Sequence, residues 1–342
     1  MKVQKTTLCS LEQPYSVSPF VYQGRDCCLA ASEGVNGPCK ILSPEGVYTL
    51  QGALEGGCMN LVALPHTPDS FLTIQRFYPV FQSQNAKIVQ VSVAPPHSDG
   101  TADCRVTSLC DVPFAHRIGL YQQEDELWLV AGVLCRSKAF LQDWSVPGYV
   151  AAWPLDPRQK SIGKEEILLP VLHKNHGMAT PPQSGAYPLL VSGEEGVFAL
   201  RRNQKAWESA LVLKGETSDL SLLDVDGDGQ EELMVIQGFH GNALRVYHQA
   251  PENGWELFAE FPLAFGHVLW SGRIQGQPCA LSGSREGRKE LTLHRFAGGK
   301  VQSETIDEGG APTQVAVWAN QNGAGIYATN TSAGAIEYYQ LS

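Results

Sequence analysis

From Leu223 to Leu233 the chain reads Leu-Asp-Val-Asp-Gly-Asp-Gly-Gln-Glu-Glu-Leu, with three aspartates at alternate positions. Such a loop turns tightly enough to point several oxygens at one hard cation. The residues after it do not form the helix of an EF-hand. Met234-Val-Ile-Gln237 and Leu244-Arg-Val-Tyr247 are short, rich in β-formers and bounded by turn residues, so they read as strands. The loop therefore joins strands of a β protein, and its position gives a phase for aligning the rest of the chain.

Aligned on that loop, units of roughly 45 residues emerge, the spacing of four-stranded blades. The loop's own unit has strands at 219–223, 232–237, 244–248 and 255–259; similar sets precede and succeed it. The last unit has only three, Gln314 to Trp318, Gly325 to Thr329 and Ala335 to Leu341. An open outer edge invites aggregation, and Val3 to Leu11 is spare, so it is expected to supply the missing strand. The expected fold is all-β, with residues 1–342 as a single seven-bladed β-propeller whose last blade is closed by the N-terminal strand. A β-sandwich with a smaller β domain after it is the alternative arrangement. The 34 glycines and 21 prolines suit many short strands and tight turns.

The net charge of −10 argues against a nonspecific nucleic-acid partner. No run of about 18 apolar residues suggests a membrane span, and the N-terminus lacks the apolar stretch of a signal peptide. Nine cysteines occur without a CxxC pair, which favours reduced thiols and a cytoplasmic location. Nucleophile-elbow and phosphate-loop motifs are absent.

The acidic loop resembles the calcium loop of FG-GAP or VCBS-type propeller repeats. Five further segments resemble bacterial relatives of the aldos-2-ulose dehydratase propeller: Pro113-Phe-Ala-His-Arg117, Lys174-Asn-His-Gly177, Phe239-His-Gly-Asn242, Phe265-Gly-His267 and Gly283-Ser-Arg-Glu-Gly-Arg288. That resemblance implies a metal-containing lyase acting on a sugar-like carbonyl compound.

The chain carries two candidate sites. In the loop, Asp224, Asp226 and Asp228, the Gln230 carbonyl and Glu232 offer oxygen ligands for a structural calcium ion; a solvated Asp/Gly turn is the plain alternative. On the opposite face, Asn60, His116, His176, Asp219, His267 and Gln314 all begin innermost strands in similar register. His116, His176 and His267 are expected to converge on a second divalent metal, zinc or another, with Asp219 as a fourth ligand or an orienting group. A histidine alone at a blade start is more often a structural hydrogen-bond partner to the neighbouring blade; three in register favour a site. His248 and His294 lie outside that register and read as surface or packing residues. The loops of the histidine face carry Arg76, Arg136, Lys174, Glu195, His240 and Arg285.

In the enzyme reading a histidine removes the proton α to a carbonyl, and His240 or Glu195 protonates the departing hydroxyl. Arg76, Arg136, Lys174, Asp219 and Arg285 would then contact the substrate. The alternative is a noncatalytic propeller that binds a carbohydrate or a protein partner.

Overall fold

The computed structural model describes residues 2–180, 189–250 and 254–342. Short strands with tight turns dominate, as the glycine and proline content dictates, and no helix among the described residues is long and apolar enough to cross a membrane. After the N-terminal strand β1 (Val3–Ser10), blade one contains β2 (Pro14–Tyr22), β3 (Arg25–Ser32), β4 (Cys39–Ser43) and β5 (Gly46–Gln51). Blade two contains β6 (Met59–Ala63), β7 (Ser70–Gln75), β8 (Lys87–Val93) and β9 (Thr101–Asp111). Blade three contains β10 (Ala115–Gln123), β11 (Glu126–Cys135), β12 (Pro147–Asp156), the two-residue β13 (Ser161–Ile162) and β14 (Glu166–Leu172). Blade four contains β15 (Gly177–Ala179), β16 (Leu189–Ser192), β17 (Gly196–Asn203) and β18 (Ala206–Lys214).

The acidic loop joins the first two strands of blade five, which runs β19 (Thr217–Leu223), β20 (Glu232–Gln237), β21 (Ala243–Ala250) and β22 (Gly254–Pro262). Blade six contains β23 (Gly266–Ile274), β24 (Gln277–Ser284), β25 (Leu291–Ala297) and β26 (Lys300–Asp307). Blade seven has β27 (Val315–Asn320), β28 (Gly323–Asn330) and β29 (Ala335–Leu341), and β1 pairs antiparallel with β29 to complete it. The fold is therefore the expected seven-bladed propeller, closed by its N-terminal strand.

One pairing breaks the regular plan. Thr49–Gln51 of β5 runs parallel beside Thr101–Asp103 of β9, which fuses blades one and two into one eight-stranded sheet. Elsewhere apolar side chains alternate to both faces of each blade and fill the spaces between neighbours. Between blades one and two, Leu29, Ile41, Phe71 and Val89 are wholly buried. Truncating one such side chain to alanine costs about 2–5 kcal/mol.

The axis is organised by an irregularity repeated around the ring. The pairing of the innermost strand with its neighbour skips one residue near its start in five blades: Tyr15, Asn60, His116, Ser218 and His267. A bulge of this kind leaves one residue unpaired and re-aims its side chain. This is why side chains far apart in sequence arrive at one level of the channel. The expected register was right for Asn60, His116 and His267, but in blade five the bulged residue is Ser218, not Asp219.

Bonds between the innermost strands run from blade to blade, most of them at this level. Asn60 N–H donates to Ser16 Oγ at 2.8 Å, and Ile118 N–H donates to Asn60 Oδ1 at 2.7 Å. Arg117 Nε–H donates to the His176 carbonyl at 2.9 Å, and His176 Nδ1–H donates to the Ser218 carbonyl at 2.8 Å. Ser221 and Ser271 join blades five and six at 2.6 Å. His267 Nδ1–H donates to the Thr313 carbonyl, and Thr313 Oγ1–H donates to the Tyr15 carbonyl, both at 2.8 Å. Each bond contributes only about 0.5–1.5 kcal/mol net, but every junction has one.

Candidate metal centre

The blade-to-blade bonds use one nitrogen of His176 and one of His267 and leave the other facing the axis. Donation from Nδ1 makes Nε2 a lone-pair acceptor in each ring, the arrangement typical of histidines that ligate metals. A third imidazole arrives from above: His240, in the turn between β20 and β21, has its Nε2 3.2 Å from His176 Nε2. One ring nitrogen each from His176, His240 and His267 lies within 4.8 Å of the others. Tetrahedral zinc with Zn–N near 2.0–2.1 Å separates its nitrogen ligands by about 3.4 Å, so one pair already matches and the third needs a modest shift.

His116 stands beside this set rather than in it. Its ring centre is 4.4 Å from that of His176, but its Nε2 meets the Tyr15 hydroxyl at 3.2 Å. The triad expected at His116, His176 and His267 is thus corrected: His240 takes the place of His116, because a turn from blade five reaches over the axis while His116 is held by Tyr15. That hydroxyl also lies 3.4 Å from His267 Nε2. Tyr15 has one proton to donate, to His116 or to His267. Since His267 Nε2 is an acceptor, the hydroxyl can donate to it and accept from His116 Nε2–H, which leaves His116 Nδ1 buried without a partner. Such an orphaned polar atom is costly in a dry interior.

Burial sets the protonation. His116, His176 and His267 are each 3% exposed or less. Desolvation, reinforced by neighbouring imidazoles and by Arg117, holds all three well below the usual imidazole range. His240 is pushed down to about 3, first by burial and then by Arg285 and Arg117. The rings are therefore neutral near pH 7, as metal ligation requires. Burial raises Asp219 to about 6, opposed by Arg117, whose guanidinium is 3.4 Å away. Asp219 sits beneath the cluster as the partner of Arg117 and is not among the converging donors.

Aromatic rings roof the imidazoles. His240 is stacked between Phe265 at 4.6 Å and His267 at 5.0 Å. Phe239 lies edge-on to His176 at 5.5 Å, and Phe77 and Phe81 lie against His116 at 5.4 and 6.5 Å. Trp144, from the β11–β12 connection, touches Phe81 and Phe239. The stacking surface of these rings is spent on the histidines and on one another. Open space lies on the other side, where a cavity of about 410 Å³ is lined by Asn60, Arg117, Met178, Asp219, His267 and Gln314 among others.

The basic rim is committed to internal partners. Arg76 forms a two-pronged pair with Glu55 at 2.6 and 2.7 Å, and Lys87 shares that carboxylate. Arg136 donates to the Pro170 carbonyl at 2.9 Å and lies over Tyr149. Lys174 pairs with Glu216 at 2.7 Å, and Arg285 lies over Phe265. Glu195 is bound by His173 Nδ1 at 2.5 Å. These contacts give no support to the lyase and carbohydrate expectations.

The acidic loop holds its carboxylates differently. Asp224, Asp226 and Asp228 each bring an oxygen within 4.8 Å of the others. Asp224 accepts from Gly227 N–H at 2.6 Å and from Gly229 N–H at 3.2 Å; both glycines have positive φ. Gln230 is turned toward Asp228, its N–H donating at 2.7 Å. Glu232 is buried, accepting from Val225 N–H at 2.7 Å and from His248 Nδ1 at 3.0 Å. Asp226, Glu232 and His248 thus form a second candidate set of metal donors overlapping the first. His248 is therefore more than the surface or packing residue that its phase suggests.

No protein-family model matches the chain, and no curated protein matches it. Among solved structures it is similar to apo AztD from Citrobacter koseri, at 13% identity over 96% of this chain and 89% of that one, with a TM-score of 0.50. At that identity the likeness is one of fold, a multi-bladed propeller. It also removes one expectation: AztD is a periplasmic protein, so the cytoplasmic location inferred from the N-terminus and the thiols does not stand. The chain is a β-propeller carrying clusters of His, Asp and Glu able to coordinate a metal ion.

Proposed function

We propose that this protein is a noncatalytic metal-binding propeller whose functional centre is His176, His240 and His267, taking one divalent transition-metal ion. The carrying observation is the convergence of three neutral imidazoles on the axis, two of them with their tautomer fixed by carbonyls of the next blade. Imidazole donors favour zinc, copper or nickel over calcium or magnesium, and zinc needs no redox partner. When bound, the ion would take the Nε2 lone pairs of His176 and His267 and one ring nitrogen of His240, replacing the His176–His240 contact. His176 and His267 hold their positions through the backbone, His240 completes the set from above, and the aromatic roof keeps water from that side. Arg117 positions His176 by binding its carbonyl oxygen.

In the same reading, the blade-five loop takes a calcium ion as a brace, with Asp224, Asp226, Asp228, the Gln230 carbonyl and Glu232 as oxygen donors. Its resemblance to FG-GAP loops and its dense oxygen set support that assignment.

Equilibrium dialysis of the metal-stripped full chain against zinc tests the main proposal. One tightly bound ion per chain is expected at the axis. His240→Phe keeps the stack on Phe265 and removes one ligand, so it should weaken that binding by about 100-fold. Equal zinc affinity in the wild-type and His240→Phe proteins would sink the assignment.

A further inference from the structure

Two of the nine cysteines form a separate feature that the metal centre does not use. Cys39 opens β4 in blade one, and Cys58 ends the crossover that enters blade two at β6. Their sulfurs lie 3.6 Å apart, and both residues are buried, at 1% and 0% exposure. Among the described residues no other two thiols are in hydrogen-bond contact. Leu29, Ile41 and Leu61 pack around them. A disulfide needs about 2.05 Å between sulfurs, so the two sulfurs, now 3.6 Å apart, must close by about 1.5 Å.

We propose that Cys39 and Cys58 are a disulfide-forming pair that fastens the crossover between blades one and two. The backbone is already arranged around the pair. Cys58 N–H donates to the Ser32 carbonyl at 3.0 Å, and Gly57 N–H donates to the Gly34 carbonyl at 2.8 Å. On its other side the crossover holds the segment that leads to the metal centre: Phe77 N–H donates to the Gly57 carbonyl at 3.0 Å, and the Phe77 ring lies 5.4 Å from His116. The bond would therefore secure one wall of the axis as well as a blade junction.

The oxidant is a small-molecule disulfide such as oxidised glutathione. One cysteine thiolate attacks it, releases one glutathione thiol and leaves a mixed disulfide. The second cysteine thiolate then attacks that protein sulfur and releases the other glutathione. The two cysteines together lose two protons and two electrons; glutathione disulfide gains both and becomes two thiols. Burial keeps glutathione away from the folded pair, so exchange takes place before the crossover packs or during its local opening.

The full chain, unfolded in reductant and refolded in a mixture of reduced and oxidised glutathione, provides the test. After alkylation, peptide mapping should find Cys39 joined to Cys58, with the other seven of the nine cysteines alkylated. The oxidised protein should melt about 5 °C above its reduced form. Cys39→Ser and Cys58→Ser should each abolish that difference. Complete alkylation of all nine wild-type cysteines, a bond between other cysteines, or a Cys39–Cys58 bond without a rise in melting temperature would overturn the proposal. The wild-type map decides the linkage even if a serine variant fails to fold.

Discussion

The axis of the ring and the tip of blade five both gather metal-ligating side chains, but by opposite means. On the axis the donors are neutral imidazoles, buried and fixed by carbonyls of the neighbouring blade. Neutral rings do not repel, so the set can assemble during folding without an ion. In the loop the donors are carboxylates, with Asp226 and Asp228 exposed, and backbone N–H groups lie between them and offset their charge. An ion entering the loop must displace backbone bonds, whereas an ion entering the axis displaces side-chain contacts only, those of His240 with His176 and of Tyr15 with His267. His294 provides a third case. It is a buried imidazole with both ring nitrogens satisfied, by Ser282 and Ser303, and it joins no donor cluster among the described residues. Convergence of ring nitrogens on one point, more than burial, distinguishes the axis.

The largest expected effect comes from His176→Ala, which removes a ligand and a blade-to-blade bond together. It should abolish the zinc-dependent stabilisation, about 2.7 kcal/mol at zinc one hundred times the dissociation constant. It should also cost about 1 kcal/mol without metal. Denaturation with and without zinc separates the two losses; an unchanged response to zinc would break the contrast between the regions. Asp226→Asn comes next. It should remove a calcium-dependent stabilisation of on the order of 2 kcal/mol near saturation and leave zinc binding intact. Loss of zinc binding in that variant would show that the two regions are not independent.

Asn60→Ala removes a bond at the same level without removing an imidazole. Stability should fall by about 1 kcal/mol, with zinc affinity unchanged by dialysis. The smallest effect, read between pH 7 and 6, concerns His294, which burial lowers to about 4 from an ordinary 6.5. As pH falls below 6.5 the unfolded chain gains a proton that the folded one refuses, so stability decreases toward pH 4. Between pH 7 and 6 this residue accounts for about 0.7 kcal/mol. NMR titration of the His294 ring checks it: an inflection near 6.5 would contradict the buried environment.

Much of this architecture was legible in the sequence because bulges repeat. Once the acidic loop fixed the phase, Asn60, His116 and His267 fell into register, and the spare strand at Val3 found its partner. Asp219 was misplaced by one residue because phase alone does not tell a bulged residue from the next paired one. Tyr15 was missed, although it precedes Ser16 at the start of the first full unit and occupies the bulge there. His240 was read as a rim acid; strand phase cannot say how far a turn leans over the axis. The basic rim misled for a different reason. Arg76 is visible in the sequence, but its pairing with Glu55, 21 residues before it, depends on a crossover that local patterns do not describe.

The parallel pairing of β5 with β9 has a consequence for how the ring opens. A ring of separate blades can part at any junction, and transient gaps let solvent reach the inner amides. Blades one and two share one continuous ladder through Thr49–Gln51 and Thr101–Asp103. Parting them means breaking main-chain bonds as well as side-chain contacts. Amide exchange should therefore treat these two blades as one cooperative unit, the slowest to breathe, with the ring opening first at junctions that lack a strand ladder.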